Sequence, residues 1–217
     1  MKNARVVSLI AALAVAAACG FHMSPSRDSW YAQHYFVMQK YEQDAYKSLT
    51  AAGRLEFQKL FWETRSDLVK KDFAERMEYI SQNFKKENFS QPWNTDRARV
   101  YLLAGPPASI DYRQNDAWGM SIAQGAGQGG QAGVTSDRSG EDIQATSFEV
   151  WTYPFGQYFV YYSFSFQPPS KWKTASMGSN AGSRVFGQFE IQNKVEYWSP
   201  RDVEDYKKKL AALKDIK

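Results

Sequence analysis

Gln91–Pro107 reads QPWNTDRARVYLLAGPP, and the reading of this stretch decides where a helical beginning gives way to a sheet. Short polar residues lead into an arginine-flanked apolar run that stops at a glycine and two prolines. Val100 and Leu102 alternate with Arg97, Arg99 and Tyr101, which predicts a strand over Arg97–Leu103. Gly105, Pro106 and Pro107 end it, since neither proline has an N–H to give a ladder. Asn94, Thr95 and Asp96 are short acceptors that bond backbone amides where a chain turns from helix to strand. Trp93 reads as the apolar anchor of that corner.

Upstream of the corner the apolar period is helical. Trp30–Leu49 carries Trp30, His34, Val37, Tyr41, Ala45 and Leu49 at spacings of three and four, with Asp28 or Ser29 as its cap. His34 lies on or beside this aromatic face, where a core or rim role suits it better than ligation. Thr50 is placed to cap a second helix running to about Glu63. Ser66 is placed to cap a third, in which Val69, Phe73, Met77, Ile80 and Phe84 form one stripe.

Downstream the period shortens to two. Ile110–Arg113 resumes as a short strand, and Ser147–Tyr153 and Tyr158–Gln167 read as a hairpin joined near Pro154-Phe155-Gly156. Arg184–Gln192 reads as a further strand, and Pro200 opens a terminal helix with Val203, Tyr206, Leu210 and Leu213 inward. Residues 116–146 are rich in Gly, Gln, Ser and Asp, which predicts a mobile excursion, and 168–183 predict a shorter loop. The expected fold class is α+β: N-terminal helices packed on a mostly antiparallel sheet, with a C-terminal helix. One domain is expected over 30–217.

The first residues address the chain elsewhere. MKNAR supplies positive charge, and VVSLIAALAVAAA follows as a run of 13 apolar and small residues. Such a run falls short of the ~20 residues that cross a bilayer and suits the apolar region of a secretory signal. Ala16-Ala17-Ala18-Cys19 resembles a bacterial lipobox, with residues 1–18 removed and Cys19 lipidated. Cys19 is the sole cysteine, so a disulfide has no second partner within the chain. An ordinary signal peptide with an incidental cysteine is the alternative. Gly20 in place of an aspartate favours the outer membrane over inner-membrane retention. Residues 19–29 then form a tether, of which the ~10 residues after Cys19 span at most ~35 Å, which holds the domain close to the membrane on the periplasmic side.

Several function classes are disfavoured by composition. The whole chain carries 27 basic and 23 acidic residues; without Lys2 and Arg5 the balance is 25 to 23. That near-neutrality gives no electrostatic case for nucleic acid. Gly125–Gly130 matches GxGxxG by letter, but its flanks lack the strand and helix a phosphate cradle needs, so no nucleotide is expected. With two histidines and one cysteine, no metal constellation is expected, and no cofactor is implied. No nucleophile motif appears, so no catalytic residue is assigned. A carboxylate pair drawn from Asp96, Asp111 and Glu149 is the one enzymatic route left open. Lys207–Lys209 reads as a solvated helix end.

Trp93-Asn94-Thr95-Asp96-Arg97, Val100-Tyr101, Gly105-Pro106-Pro107 and Phe148-Glu149-Val150-Trp151, preceded by Leu49–Asp67, resemble the GWxTD-domain family of bacterial envelope proteins. The resemblance covers roughly 49–166. Pro92 stands where that family has its first glycine, and Ala98 where a glycine is common. Because proline holds φ near −65°, this turn does not depend on a positive φ at Pro92. The family is defined by its motif, so the resemblance implies an envelope setting and no catalytic residue.

Three roles for the corner stay open: a structural bend, a partner-docking surface and an active site. Arg97 and Arg99 are expected to share a face where Asp96, Asp111 or Glu149 pair with them. Tyr158–Phe166 carries aromatics on both faces of its first half, and an exposed aromatic patch marks a partner site. Phe159 and Tyr161, with Trp151 and Tyr153 from the paired strand, are therefore expected to meet another envelope protein. The overall expectation is a membrane-anchored, non-enzymatic scaffolding lipoprotein. An envelope hydrolase, or a glycan- or peptide-binding protein, is the alternative.

Overall fold

A computed structural model describes residues 28–114 and 147–216. The leader, Cys19, nearly all of the tether and the Gly-rich segment 116–146 lie outside the described residues. The fold class is α+β, with seven α-helices and a four-stranded antiparallel sheet among the described residues, and a helix near the C-terminus. The chain groups into two compact units.

The first unit comprises 28–35, 40–64 and 200–216. Helix α1 (Ser29–His34) starts at Asp28, whose Oδ1 accepts from Tyr31 N at 3.1 Å. Helix α2 (Lys40–Ser48) leads to α3 (Ala51–Glu63), capped by Thr50, whose Oγ1 accepts from Gly53 N at 3.1 Å. The expected single helix over 30–49 is thus broken, and Phe36–Gln39 belongs to the second unit. The core here is a nest of rings. Trp30 stacks on His34 at 3.9 Å and on Tyr46 at 5.4 Å, with Phe57 and Phe61 edge-on. His34 is buried, and its Nδ1 lies 2.7 Å from Trp30 O, as befits a core histidine. Asp28 Oδ2 accepts the Tyr46 hydroxyl at 2.6 Å. The last α-helix in the chain, Val203–Ala212, buries Tyr206 and Leu210 in this unit and is capped by Asp202 rather than opened by Pro200.

The second unit comprises 36–39, 65–114 and 147–199. Helix α4 (Asp67–Asn83) starts at Ser66 and buries Val69, Phe73 and Ile80, followed by Phe84 at its end. The next element corrects the sequence reading. Asp96–Ala104 is a helix, α5, not a strand. Thr95 caps it, its Oγ1 accepting from Ala98 N at 3.2 Å, and Asp96 places a carboxylate in the first turn. Ala98, Tyr101 and Leu102 are buried at spacings of three and four, a helical stripe that seven residues of alternation disguise. At its other end Arg76 donates to Leu102 O at 2.8 Å and Leu103 O at 3.1 Å, and the Trp198 indole N–H also donates to Leu103 O at 3.1 Å. Gly105, with φ +81°, closes the helix. A Cβ there would meet Arg76 Nη2 at 3.0 Å, so only glycine fits both the backbone and the cap.

Strands β1 (Ser109–Gln114), β2 (Ser147–Phe155), β3 (Tyr158–Gln167) and β4 (Lys171–Ser179) follow in that spatial order, each antiparallel to its neighbour. The hairpin between β2 and β3 is as expected, pairing Phe155 with Tyr158 across a turn at Gly156, φ +61°. Strand β4 occupies ground expected to be loop. Its alternating burial is real but shallow, and small and polar residues hide the pattern. Arg184–Gln192, expected as a strand, is instead helical. Helix α6 (Ser183–Glu190) buries Val185 and Phe189 four residues apart and runs into a π-helix over Ile191–Tyr197. The final helix of the first unit is accordingly α7 (Val203–Ala212).

Candidate functional site

The corner Trp93–Arg97 is the start of α5, so it turns a loop into a helix rather than a helix into a strand. Asn94 N bonds Gln91 O at 2.8 Å, and Thr95 Oγ1 donates to Pro92 O at 3.3 Å. Trp93 is half-buried, and its buried indole nitrogen has no hydrogen-bonding partner. Beyond this cap the polar side chains close on one another.

Arg97 is the hub. Its guanidinium meets Glu87 Oε1 at 2.7 Å and Glu149 Oε2 at 2.7 Å. Its flat face lies 4.9 Å from the Phe84 ring and 5.0 Å from the Trp172 ring. Both carboxylates have second partners: Trp172 N donates to Glu87 Oε2 at 3.1 Å, and the Trp151 indole N–H donates to Glu149 Oε1. Glu149 is 1% exposed, so this is a buried charge cluster whose members are mutually satisfied. Burial holds the Glu87 carboxyl above its ordinary range, opposed chiefly by the Arg97 charge.

Asp96 ties the helix start to the sheet. Its Oδ2 accepts from Thr174 N at 2.9 Å, and Lys173 Nζ stands 3.5 Å from Oδ1. Arg99 donates to Asn94 Oδ1 at 3.1 Å, lies 4.0 Å from Asp96, and covers the Phe36 ring at 4.7 Å. Of the three carboxylates expected to meet these arginines, Glu149 pairs with Arg97 and Asp96 with Arg99, although the arginines stand on a helix and not on one strand face. Asp111 makes neither. It is exposed on β1 opposite Val150, whereas Glu149 pairs with Tyr112, so Asp111 and Glu149 point to opposite sheet faces and cannot converge.

The expected aromatic docking patch is corrected by the same register. Trp151 faces with Tyr162 and Tyr153 with Val160, while Thr152 faces with Tyr161 and Pro154 with Phe159. Trp151 and Tyr153 therefore lie on one face, 2% and 4% exposed, where Trp151 packs on Phe164 and Tyr153 on Phe189. Phe159 and Tyr161 lie on the other, with Phe159 45% exposed. The Tyr153 hydroxyl also holds Gly105 O at 3.0 Å. Pro106 and Pro107 follow as the stop between α5 and β1, and Ala108 N bonds Thr152 O at 2.9 Å.

Sequence reasoning missed Glu87. It sits in Lys85-Lys86-Glu87-Asn88, a charged run with the look of a solvated turn, yet it is 7% exposed. The only local signal is its position just past an apolar helix end at Phe84. Beside the cluster opens a polar cavity of about 230 Å³, walled by Glu87, Asn94, Asp96, Lys171, Trp172 and Lys173 among others. Among the described residues no group of His, Cys, Asp and Glu is arranged to hold a metal ion. No family model matches this chain, and no curated protein or solved structure matches it either. The GWxTD resemblance accordingly rests on the residues quoted for it.

Proposed function

We propose that this chain is a lipid-anchored outer-membrane lipoprotein of the bacterial envelope, facing the periplasm, whose folded part serves as a non-catalytic interaction module. The leader-like run ending at Cys19 and the GWxTD-like residues support the setting. One observation carries the non-catalytic part: Glu87, Asp96 and Glu149 each already hold a structural partner through a guanidinium, an indole N–H or a backbone N–H. A general acid or base must exchange its proton with a substrate, and these carboxylates are committed to the fold. Among the described residues, no helix is long and apolar enough to cross a membrane. The proposed anchor is a lipid on Cys19, on the strength of the lipobox-like residues before it.

The polar cavity favours a second reading, the binding of a glycan or peptide without turnover. An indole, two carboxylates, two lysines and two amides line it, a mixture suited to hydroxyl- and amide-rich ligands. Partner protein and small ligand are distinct outcomes. Fractionation of native membranes, with mass spectrometry of the mature N-terminus, tests the anchoring. Wild type should sediment with outer membrane and carry acyl chains on Cys19, and Cys19→Ala should not. A wild-type chain that is soluble and unacylated overturns the reading.

A further inference from the structure

The two margins of the sheet are finished differently. At β4, the amides of Trp172 and Thr174 are taken by Glu87 and Asp96. At β1, no described strand lies on the side away from β2, and Ala108–Tyr112 are exposed without interruption. Along such an edge every second residue turns its N–H and C=O outward. Ser109–Gln114 contains neither proline nor lysine to blunt it, and Ile110 and Tyr112 are 37% and 72% exposed. The register on β2 sorts the side chains by face. Ile110 and Tyr112 stand with Trp151 and Glu149, whereas Asp111 and Arg113 stand with Val150 and Phe148. The exposed Asp111 carboxylate holds no partner among the described residues.

Charge selects how a second copy would meet this edge. Two copies of one strand, paired antiparallel about a two-fold axis through the sheet, centre their pairing on a single residue that opposes itself. Residues equally far from that centre, on opposite sides of it, then oppose each other and share a face. Centring on Asp111 or on Arg113 sets like charges directly against each other. Centring on Ile110 sets Asp111 against Ser109 and leaves Arg113 outside the pairing. Centring on Tyr112 sets Asp111 against Arg113 twice, once on each side of the axis, and pairs five of the six residues of β1. Only this last register is complementary in charge and nearly complete in length.

We propose that β1 is a self-association edge. Two copies join β1 to β1 antiparallel about Tyr112 and extend the sheet to eight strands. Reciprocal Asp111–Arg113 ion pairs form on one face, and the two Tyr112 rings meet on the other. A single strand pair buries less than the ~1,200 Å² of a standard interface, so the dimer is weak and reversible. The pairing names a partner for the interaction role but needs neither the Cys19 lipid nor the polar cavity.

Sedimentation velocity on the full mature chain, produced without acylation and kept reduced, tests it. The wild type should pass reversibly from monomer to dimer as its concentration rises through the micromolar range. Asp111→Arg and Arg113→Asp each set like charges opposite each other on both sides of the axis. Either alone should weaken the dimer by about tenfold or more. Mixed in equal amounts, the two variants should form a heterodimer of near wild-type strength, because every contact between positions 111 and 113 again joins opposite charges. General damage to the fold cannot produce that rescue. A wild type that stays monomeric at every concentration means the edge is left to water or to a different protein, and overturns the proposal. A dimer that both single variants retain overturns it too, as does a failure of the two variants, each shown folded by circular dichroism, to recombine.

Discussion

The two sides of Asp96 are built on opposite rules. On one side Arg97, Glu87 and Glu149 satisfy each other, and the remaining carboxylate oxygens take the Trp172 amide and the Trp151 indole. On the other side Tyr162, Glu190 and Lys194 border a cavity and hold none of one another. Both regions are polar groups set in an aromatic interior, so burial alone does not tell architecture from function. The partners that each charged group already holds separate the two. A saturated cluster holds its members to one another and so fixes the fold, whereas an unsatisfied buried hydroxyl weakens it.

Breaking the saturated side should have the largest effect. Glu149→Ala leaves Arg97 with half its compensation and the Trp151 indole N–H with no acceptor. The loss expected for one partner of a buried ion pair is about 3–5 kcal/mol. Urea unfolding measures it, and a loss below 1 kcal/mol would mean the cluster is open to water. Thr95→Ala is next, with an expected loss of about 1 kcal/mol from the missing helix cap, read in the same titration. Tyr162→Phe should have the smallest effect and the opposite sign. Removing a hydroxyl that nothing satisfies should leave stability unchanged or raise it by up to about 1 kcal/mol. A clear destabilisation by Tyr162→Phe would erase the contrast between the two sides.

Much of the helical scaffold was legible, because its signals are local. Asp28, Thr50 and Ser66 each cap a helix as their positions predict, and the stripe on α4 is buried nearly as its spacing implies. The β2–β3 hairpin announces itself by residue type. The errors fall where a short segment fits two periods. RARVYLL alternates as a strand does, yet Ala98, Tyr101 and Leu102 face inward on a helix, and the deciding signal was the Thr95 cap with Asp96 behind it. Residues 184–192 failed similarly. The candidate sites were legible only in part. Asp96, Asp111 and Glu149 were all expected partners for the arginines, and Glu149 takes Arg97, whereas Glu87 joins it across ten residues from within a lysine-rich turn. The face of each aromatic in β2 and β3 depends on register, which no single strand encodes. The Tyr162 cavity draws on α5, two strands, α6, the π-helix and Phe36, and such a convergence has no local signature.

Strand β4 stands at one margin of the sheet, with β3 as its only partner strand among the described residues. Its amides at Trp172 and Thr174 point away from β3 and donate to Glu87 and Asp96. Those two carboxylates occupy the places that the carbonyls of a fifth strand would need, and Lys171 and Lys173 add charge to the same border. At these two positions the margin is closed to extension by a peptide or by another copy of this protein. A strand edge met this way offers fewer open amides on which a neighbouring chain could template aggregation.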